Sequence, residues 1–312
     1  MLTFIKPFKQ LNKNSVAEAG GKGASLGEMT NAGIPVPPGF VVLASAFDRF
    51  LGETELDADI EAILKKVNHK DINSVEKASN EIRAMIADAP MPKDLQQEII
   101  KYFNVLKCKF VAVRSSATAE DSKTASWAGE LETYLNVTEK NVVAMVKKCW
   151  SSLFTPRAIF YRYEKKLHQK QVSVAVVIQT MVQSEVSGIS FTVHPVTKDY
   201  NQMVLEAGLG LGEAIVSGSV TPDTYIVHKD DFSIVDINVS EQAFALVRGK
   251  TGGTIRTNGS KLKKQKLTGR QIVELAKICK NIEKHYKHPQ DIEWAYAGGK
   301  FYITQSRPIT TL

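Results

Sequence analysis

The sequence predicts an α+β or α/β protein of two subdomains, and three observations carry that expectation. Apolar residues recur at helical spacing in the first third of the chain, as in Ile82, Met85 and Ile86, then Leu95 and Ile99. Continuous apolar runs of strand length follow, the clearest over 174–181. Strand-like and helical segments are mixed in both halves. At 312 residues the chain can bury a large core and divide in two.

Taken in order, 20–29 reads as a Gly-rich loop entering a short helix. Gly33 stops that helix and 35–38 form a rigid Pro-rich turn. A strand is expected over 40–43, and a mainly helical region over 45–106, broken at Pro90 and Pro92. The run 110–113 reads as a short buried strand ending at Arg114-Ser115-Ser116, with a polar loop after it to Trp127. A strand at 131–137 precedes helices at 139–152 and 156–167, the second opened by Pro156 at a first helical position. Strands are expected at 174–181, 188–193, 203–206, 224–227 and 234–239, with a second Gly-rich loop at 208–213. A last helix over 268–284 leads into a terminal hairpin.

Composition excludes several classes. With 43% hydrophobic and 23% charged residues the chain looks like a globular protein rather than a disordered one. No apolar run approaches membrane-spanning length, and Met1-Leu2-Thr3-Phe4 lacks a signal-peptide pattern, so no membrane association and a cytoplasmic setting are expected. Cys108, Cys149 and Cys279 are too far apart for a metal cluster and read as buried thiols. The net charge of +7 gathers in lysine pairs and in the run from Lys261 to Lys266, read as solvated surface in preference to a nucleic-acid site.

The richest segment is the terminal hairpin, where Asp291, Glu293, Gln305 and Arg307 sit on strands otherwise built for a core. A two-residue loop would put Glu293 and Gln305 on opposite faces. A three-residue loop with a left-handed Gly puts them on one face, and that loop is expected here. A carboxylate, an amide oxygen and a guanidinium together suit a hard cation and a phosphate chain; the competing reading is a structural ion pair. Elsewhere, Lys22 lies between glycines at a helix start, where backbone N–H groups and a cation favour an anion. Its spacing departs from the P-loop pattern at Val16 and Gly23. Arg114 at a strand end can clamp phosphate bidentately, or pair with Glu120 or Asp121. Trp127-Ala128-Gly129 reads as a lid whose backbone N–H groups cover phosphates, with Thr133 adding a hydroxyl. Gln179 to Val182 closes a buried strand where backbone groups can meet an adenine edge and Met181 or Val182 can sandwich the ring. His285 and His288 could hold a metal, or cap the last helix, which is the preferred reading.

Together these motifs resemble the N-terminal nucleotide-binding domain of phosphoenolpyruvate synthase (pyruvate, water dikinase), which pyruvate phosphate dikinase and rifampin phosphotransferase share. The resemblance covers nearly the whole chain. It rests on GGKGASLGEM at Gly20, PVPPGF at Pro35, VRSSATAEDS at Val113, WAGELETYLNV at Trp127 and QTMV at Gln179. It continues through SGISFTVHP at Ser187, GLGLGEAIVSGSVTPD at Gly208, DIEWAY at Asp291 and QSRP at Gln305.

What the resemblance implies is an α+β ATP-grasp fold with ATP between two subdomains, 1–178 and 179–312. Lys22 and Arg114 would bind phosphates and Gly129 with Thr133 would belong to the lid. Gln179, Met181 and Val182 would form the adenine side. Glu293 and Gln305 would ligate Mg2+ with Asp291 in support, and Arg307 would stabilise the transferring phosphoryl group. In the family ATP gives its β-phosphate to a histidine on a swivelling domain, and pyruvate receives it afterwards. No histidine here has the family's Thr-Ser-His-Ala-like context, so the histidine is expected on a separate domain or chain. A rifampin phosphotransferase-like part and a non-catalytic ATP-binding module are the alternatives.

Overall fold

The computed structural model describes residues 3–118, 132–165, 173–249, 252–258 and 263–310. Trp127 and Gly129, with the proposed lid, lie outside the described residues, as do Glu120, Asp121 and His168. The structure is α+β, and every strand pair within its sheets is antiparallel. The chain divides into two compact units, one of 1–28 and 38–181, the other of 29–37 and 182–312.

In the first unit β1 (Ile5–Pro7), β2 (Gly39–Val42), β3 (Val111–Ala117), β4 (Thr133–Val137) and β5 (Val174–Thr180) form a five-stranded sheet in the order β1-β2-β5-β3-β4. Strand alternation splits it into two faces. Phe40, Val42, Val113, Val176 and Ile178 face a core built with α2 (Ala44–Glu53), α3 (Leu56–Lys65), α4 (Ile72–Asp88), α5 (Lys93–Val105), α6 (Glu139–Ser151) and α7 (Pro156–Glu164). Trp150 of α6 is fully buried and packs in tilted ring contacts, with centroids 5.4 and 5.0 Å away, on Phe47 and Phe50 of α2. Pro156 does sit in the first turn of α7, where Thr155 caps the Ala158 N–H.

Two expectations about this unit need correction. The segment around Gly20 is not a loop: it lies within α1 (Val16–Asn31), interrupted only at Gly20, whose φ of 68° and ψ of 172° break the helix for one residue. β3 also runs on through Arg114, Ser115 and Ser116 to Ala117, because β5 pairs with it residue for residue from Val111 to Ala117. Arg114 is therefore mid-strand.

In the second unit β6 (Val186–Phe191), β7 (Gln202–Leu209), β8 (Asp223–His228), β9 (Ile234–Asn238), β12 (Gln290–Ala297) and β13 (Lys300–Pro308) form a six-stranded sheet in the order β13-β12-β6-β7-β8-β9. A short helix α8 (Glu213–Val216) and the hairpin of β10 (Ala245–Arg248) with β11 (Thr254–Thr257) flank it. Helix α9 (Gly269–Tyr286) begins with a capping box between Thr268 and Gln271 and buries Ile272, Leu275, Ala276 and Cys279 against one face of the sheet. Lys284 and His285 lie in its last turn, where positive charge is favourable. Among the described residues no group of three His, Cys, Asp or Glu side chains is placed to hold a metal by itself.

Lys266 departs from its expected place on a solvated surface. Its side chain is fully buried, 2.7 Å from the equally buried Asp223, which also accepts from Tyr225 Oη, the Lys266 N–H and the Ser240 N–H. This ion pair ties 263–268 and the turn after β9 to β8. Replacing Lys266 by Met removes the cation and leaves a buried carboxylate without its charge partner. The expected cost is about 3–5 kcal/mol in urea unfolding; a loss under about 1 kcal/mol would show that the hydrogen bonds alone hold Asp223.

Candidate functional site

Two polar faces, one in each unit, contain most of the described residues singled out from the sequence. In the first unit, Ser116 makes the decisive contact. Its Oγ donates to the Ala19 carbonyl at 2.9 Å and accepts from the Gly23 N–H at 3.3 Å, so one hydroxyl holds both sides of the break at Gly20. Gly20 has to be glycine: its φ is positive, and a Cβ there would stand 2.2 Å from that same Oγ. The helix restarting at Gly21 carries Lys22 in its first turn, pinned to β3.

Sheet register then places the partners. Val41, Val177, Arg114 and Thr133 form one row across β2, β5, β3 and β4, and directly opposed residues share a face. Gly23 packs on Val41 of that row. Gln179 lies on the same face in the next row, opposite Gly39 and Ala112. The Gly20–Lys22 turn, Arg114, Thr133 and Gln179 thus share one face, opposite the six-helix core. Arg114 is only 8% exposed, and Gln179 is buried with a side-chain nitrogen that no described residue accepts. The N–H groups of Thr180 and Met181 are taken by the carbonyls of Pro38 and Phe110. Those two backbone N–H groups are thus already taken, whereas the Gln179 amide nitrogen is not. Cys149, behind β3, is a structural thiol: burial pushes it up to about 12.

The hairpin of the second unit corrects the expected loop and keeps its consequence. Ala297 pairs with Lys300, so the turn is Gly298-Gly299, two residues, both with positive φ (57° and 77°). This suits a type I′ hairpin turn. Left regular, the ladder would oppose Glu293 to Thr304 and turn Gln305 to the other face. A bulge intervenes instead: Trp294 pairs with Ile303 but Glu293 with Gln305, leaving Thr304 as the extra residue. Beyond it Asp291 pairs with Arg307. The polar residues thus meet on one face, while Ile292, Trp294 and Ile303 keep the buried face under α9.

The same register brings in a residue not anticipated. Glu293 stands opposite Ile189, and Ile189 opposite Glu206, so Glu206, Glu293 and Gln305 share one row of the sheet. A lone acid in the apolar strand 203–206 was the signal available in the sequence. Arg307 grips one Asp291 oxygen with Nε at 2.9 Å and Nη2 at 2.8 Å. Asp291 thus orients the guanidinium. Burial pushes the Asp291 carboxyl upward, opposed by Arg307 and reinforced by Glu293. Burial likewise raises Glu206, and Asp291 adds to the shift. The face holds more negative charge than its one guanidinium offsets, and its donors are oxygens, as a hard cation requires.

Residues 16–312 match the family described as pyruvate phosphate dikinase, AMP/ATP-binding domain. The chain belongs to that family. It is 49% identical to a probable phosphoenolpyruvate synthase of Methanocaldococcus jannaschii, over all of this chain and 27% of that protein. It is 43% identical to the phosphoenolpyruvate synthase of Pyrococcus furiosus, over 99% of this chain and 44% of that protein. Rifampicin phosphotransferase of Bacillus cereus is 40% identical over the whole chain and 36% of its own length. The chain thus spans less than half of each of these relatives. No helix among the described residues is long and apolar enough to cross a membrane.

The raised Glu206 carboxyl yields a signed prediction. Because its native value lies above the ordinary 4.5, the native state binds the proton more tightly than the unfolded chain does. Ionised Glu206 therefore costs stability at neutral pH. Glu206→Gln should raise the melting temperature there, with the gain shrinking as pH falls through the native value and vanishing below 4.5. A gain independent of pH would remove the charge from the explanation.

Proposed function

We propose that this chain is the ATP-binding, phosphoryl-donating part of a phosphoenolpyruvate synthase-like dikinase, with an ATP-grasp fold whose subdomains are the two compact units. The observation that carries the reading is the bulged hairpin, which assembles a carboxylate, an amide and an Asp-held guanidinium on one face. In this proposal one ATP draws on both units. Lys22 and Arg114, with Thr133, hold phosphate oxygens by charge-assisted hydrogen bonds. The Gly129 segment covers them, and Gln179, Met181 and Val182 receive the adenine. Glu293 and Gln305 are the residues that would hold Mg2+. The ion would supply neutralisation of charge on the phosphate oxygens. Arg307, held in place by Asp291, meets the charge that grows on the phosphoryl group as it leaves.

The acceptor in this proposal is a histidine nitrogen of a separate domain or chain. The nitrogen forms a bond to the β-phosphorus as the bond to the α-phosphate oxygen breaks, and AMP departs. Phosphate leaves from the γ position by hydrolysis, and the phosphohistidine then serves pyruvate. The match to rifampicin phosphotransferase favours a second reading, the same donor unit serving an antibiotic.

Titration calorimetry with a non-hydrolysable ATP analogue tests the binding half. Saturable, magnesium-dependent binding is expected, with Lys22→Ala weakening it about 10- to 100-fold for one lost charge-assisted contact. Glu293→Ala should remove the magnesium dependence, and binding equally sensitive to magnesium in that variant would take Glu293 out of the metal site. Arg307→Ala should keep affinity within a few-fold while AMP formation from ATP, assayed with the histidine-bearing acceptor supplied, drops by about 10²–10³. A parallel loss of affinity and rate would assign Arg307 to ground-state binding instead.

A further inference from the structure

The second unit's sheet has two rims, and they are treated differently. Along β13 the Ile303 N–H donates to the Pro35 carbonyl at 2.8 Å, so the chain at Pro35 lies against that rim. β9 has no such cover: it pairs with β8 on one side, and among the described residues no backbone group of 234–239 bonds to anything on the other. The strand is also apolar where it should be guarded. Val235, Ile237 and Val239 are 53%, 43% and 43% exposed. Ile237 lies opposite the fully buried Tyr225, at the end of the row that α9 covers elsewhere. Phe232, Ile234 and Val273 line a hollow beside it, rimmed by Arg270 and Lys277. Rim strands in stable monomers carry lysines, prolines or inward charges to prevent pairing. The guards on β9 are Asp236 and a bulge at Val235.

We propose that β9 pairs antiparallel with β9 of a second copy of this chain, about a twofold axis through Ile237. The register follows from self-complementarity, which an isologous interface demands. With the axis at Ile237, that residue meets its own copy, while the bulged Val235 and Val239, one residue past the strand's end, flank the pairing. Asp236 then meets Asn238 of the second copy, an acceptor opposite an amide donor, twice per dimer. Placing the axis at Asp236 opposes two carboxylates. Placing it at Asn238 sets Val235 against Glu241. Moving it half a step sets apolar residues against Asp236 or Asn238. One register satisfies every pair, and cross-strand pairs of this kind are the unit of sheet stabilisation. The pairing uses only the second unit and does not depend on the nucleotide reading.

Sedimentation equilibrium of the 312-residue chain over a wide concentration range tests this. A reversible monomer–dimer equilibrium is expected. Asn238→Lys places a cation opposite each Asp236 and should tighten the dimer about tenfold. Asn238→Asp opposes like charges and should loosen it about tenfold. Ile237→Lys, with two cations at the axis, should leave monomer alone. These positions are exposed, so thermal unfolding of a dilute monomer should be unchanged, which separates lost pairing from lost folding. A chain that stays monomeric at every concentration overturns the proposal, as does a dimer indifferent to residues 237 and 238.

Discussion

The hairpin of β12 and β13 depends on one extra residue. Side chains on a strand alternate with a period of two, so a slip of one residue exchanges the faces of everything beyond it. Here a Gly298-Gly299 turn sets a register that would send Gln305 and Arg307 into the core and Thr304 out beside Glu293. The bulge at Thr304 reverses the parity at the point where the strand changes from packing to chemistry. Before it lie Phe301 and Ile303, both buried; beyond it Gln305 and Arg307 stand over Glu293 and Asp291. The Asp291–Arg307 pair and the place of Gln305 opposite Glu293 follow from that shift, while Glu206 joins the row through β6.

The first unit reaches a comparable result through close approach. Ser116 can bond both Ala19 and Gly23 because Gly20 has no Cβ and accepts a positive φ. That contact fixes Lys22 relative to β3, and register adds Arg114, Thr133 and Gln179 to the same face. In both units a backbone irregularity, a helix break in one and a bulge in the other, interrupts a regular element where the polar residues stand. Regular structure alone would have kept these side chains apart.

Much of this was legible in the sequence. The buried strand at 174–181, the last helix and the terminal hairpin were expected from the sequence, and the motif resemblance pointed to the family that the comparisons establish. The errors have physical causes. Three glycines in four residues suggested a loop at 20–23, but tertiary contacts with Ser116 and Val41 keep the segment helical on either side of one break. Lys266 looked like surface because its run is lysine-rich, yet the buried Asp223 on a distant strand requires a cation. The bulge was invisible because loop length and bulge position can each restore the same parity. Glu206 comes beside Glu293 only through β6, a neighbour that no local pattern reveals.

Disulfide trapping tests the bulged register most directly. Directly opposed residues of an antiparallel pair have Cα atoms about 4.5–5.5 Å apart, within disulfide reach. Of two double variants, Glu293→Cys with Gln305→Cys should cross-link under mild oxidation, and Glu293→Cys with Thr304→Cys should not. Of the native thiols, Cys149 and Cys279 are buried, and Cys108 can be replaced in both variants. Cross-linking through 304 in place of 305 would show a regular ladder, put Gln305 and Arg307 on the core face and contradict the account of the site.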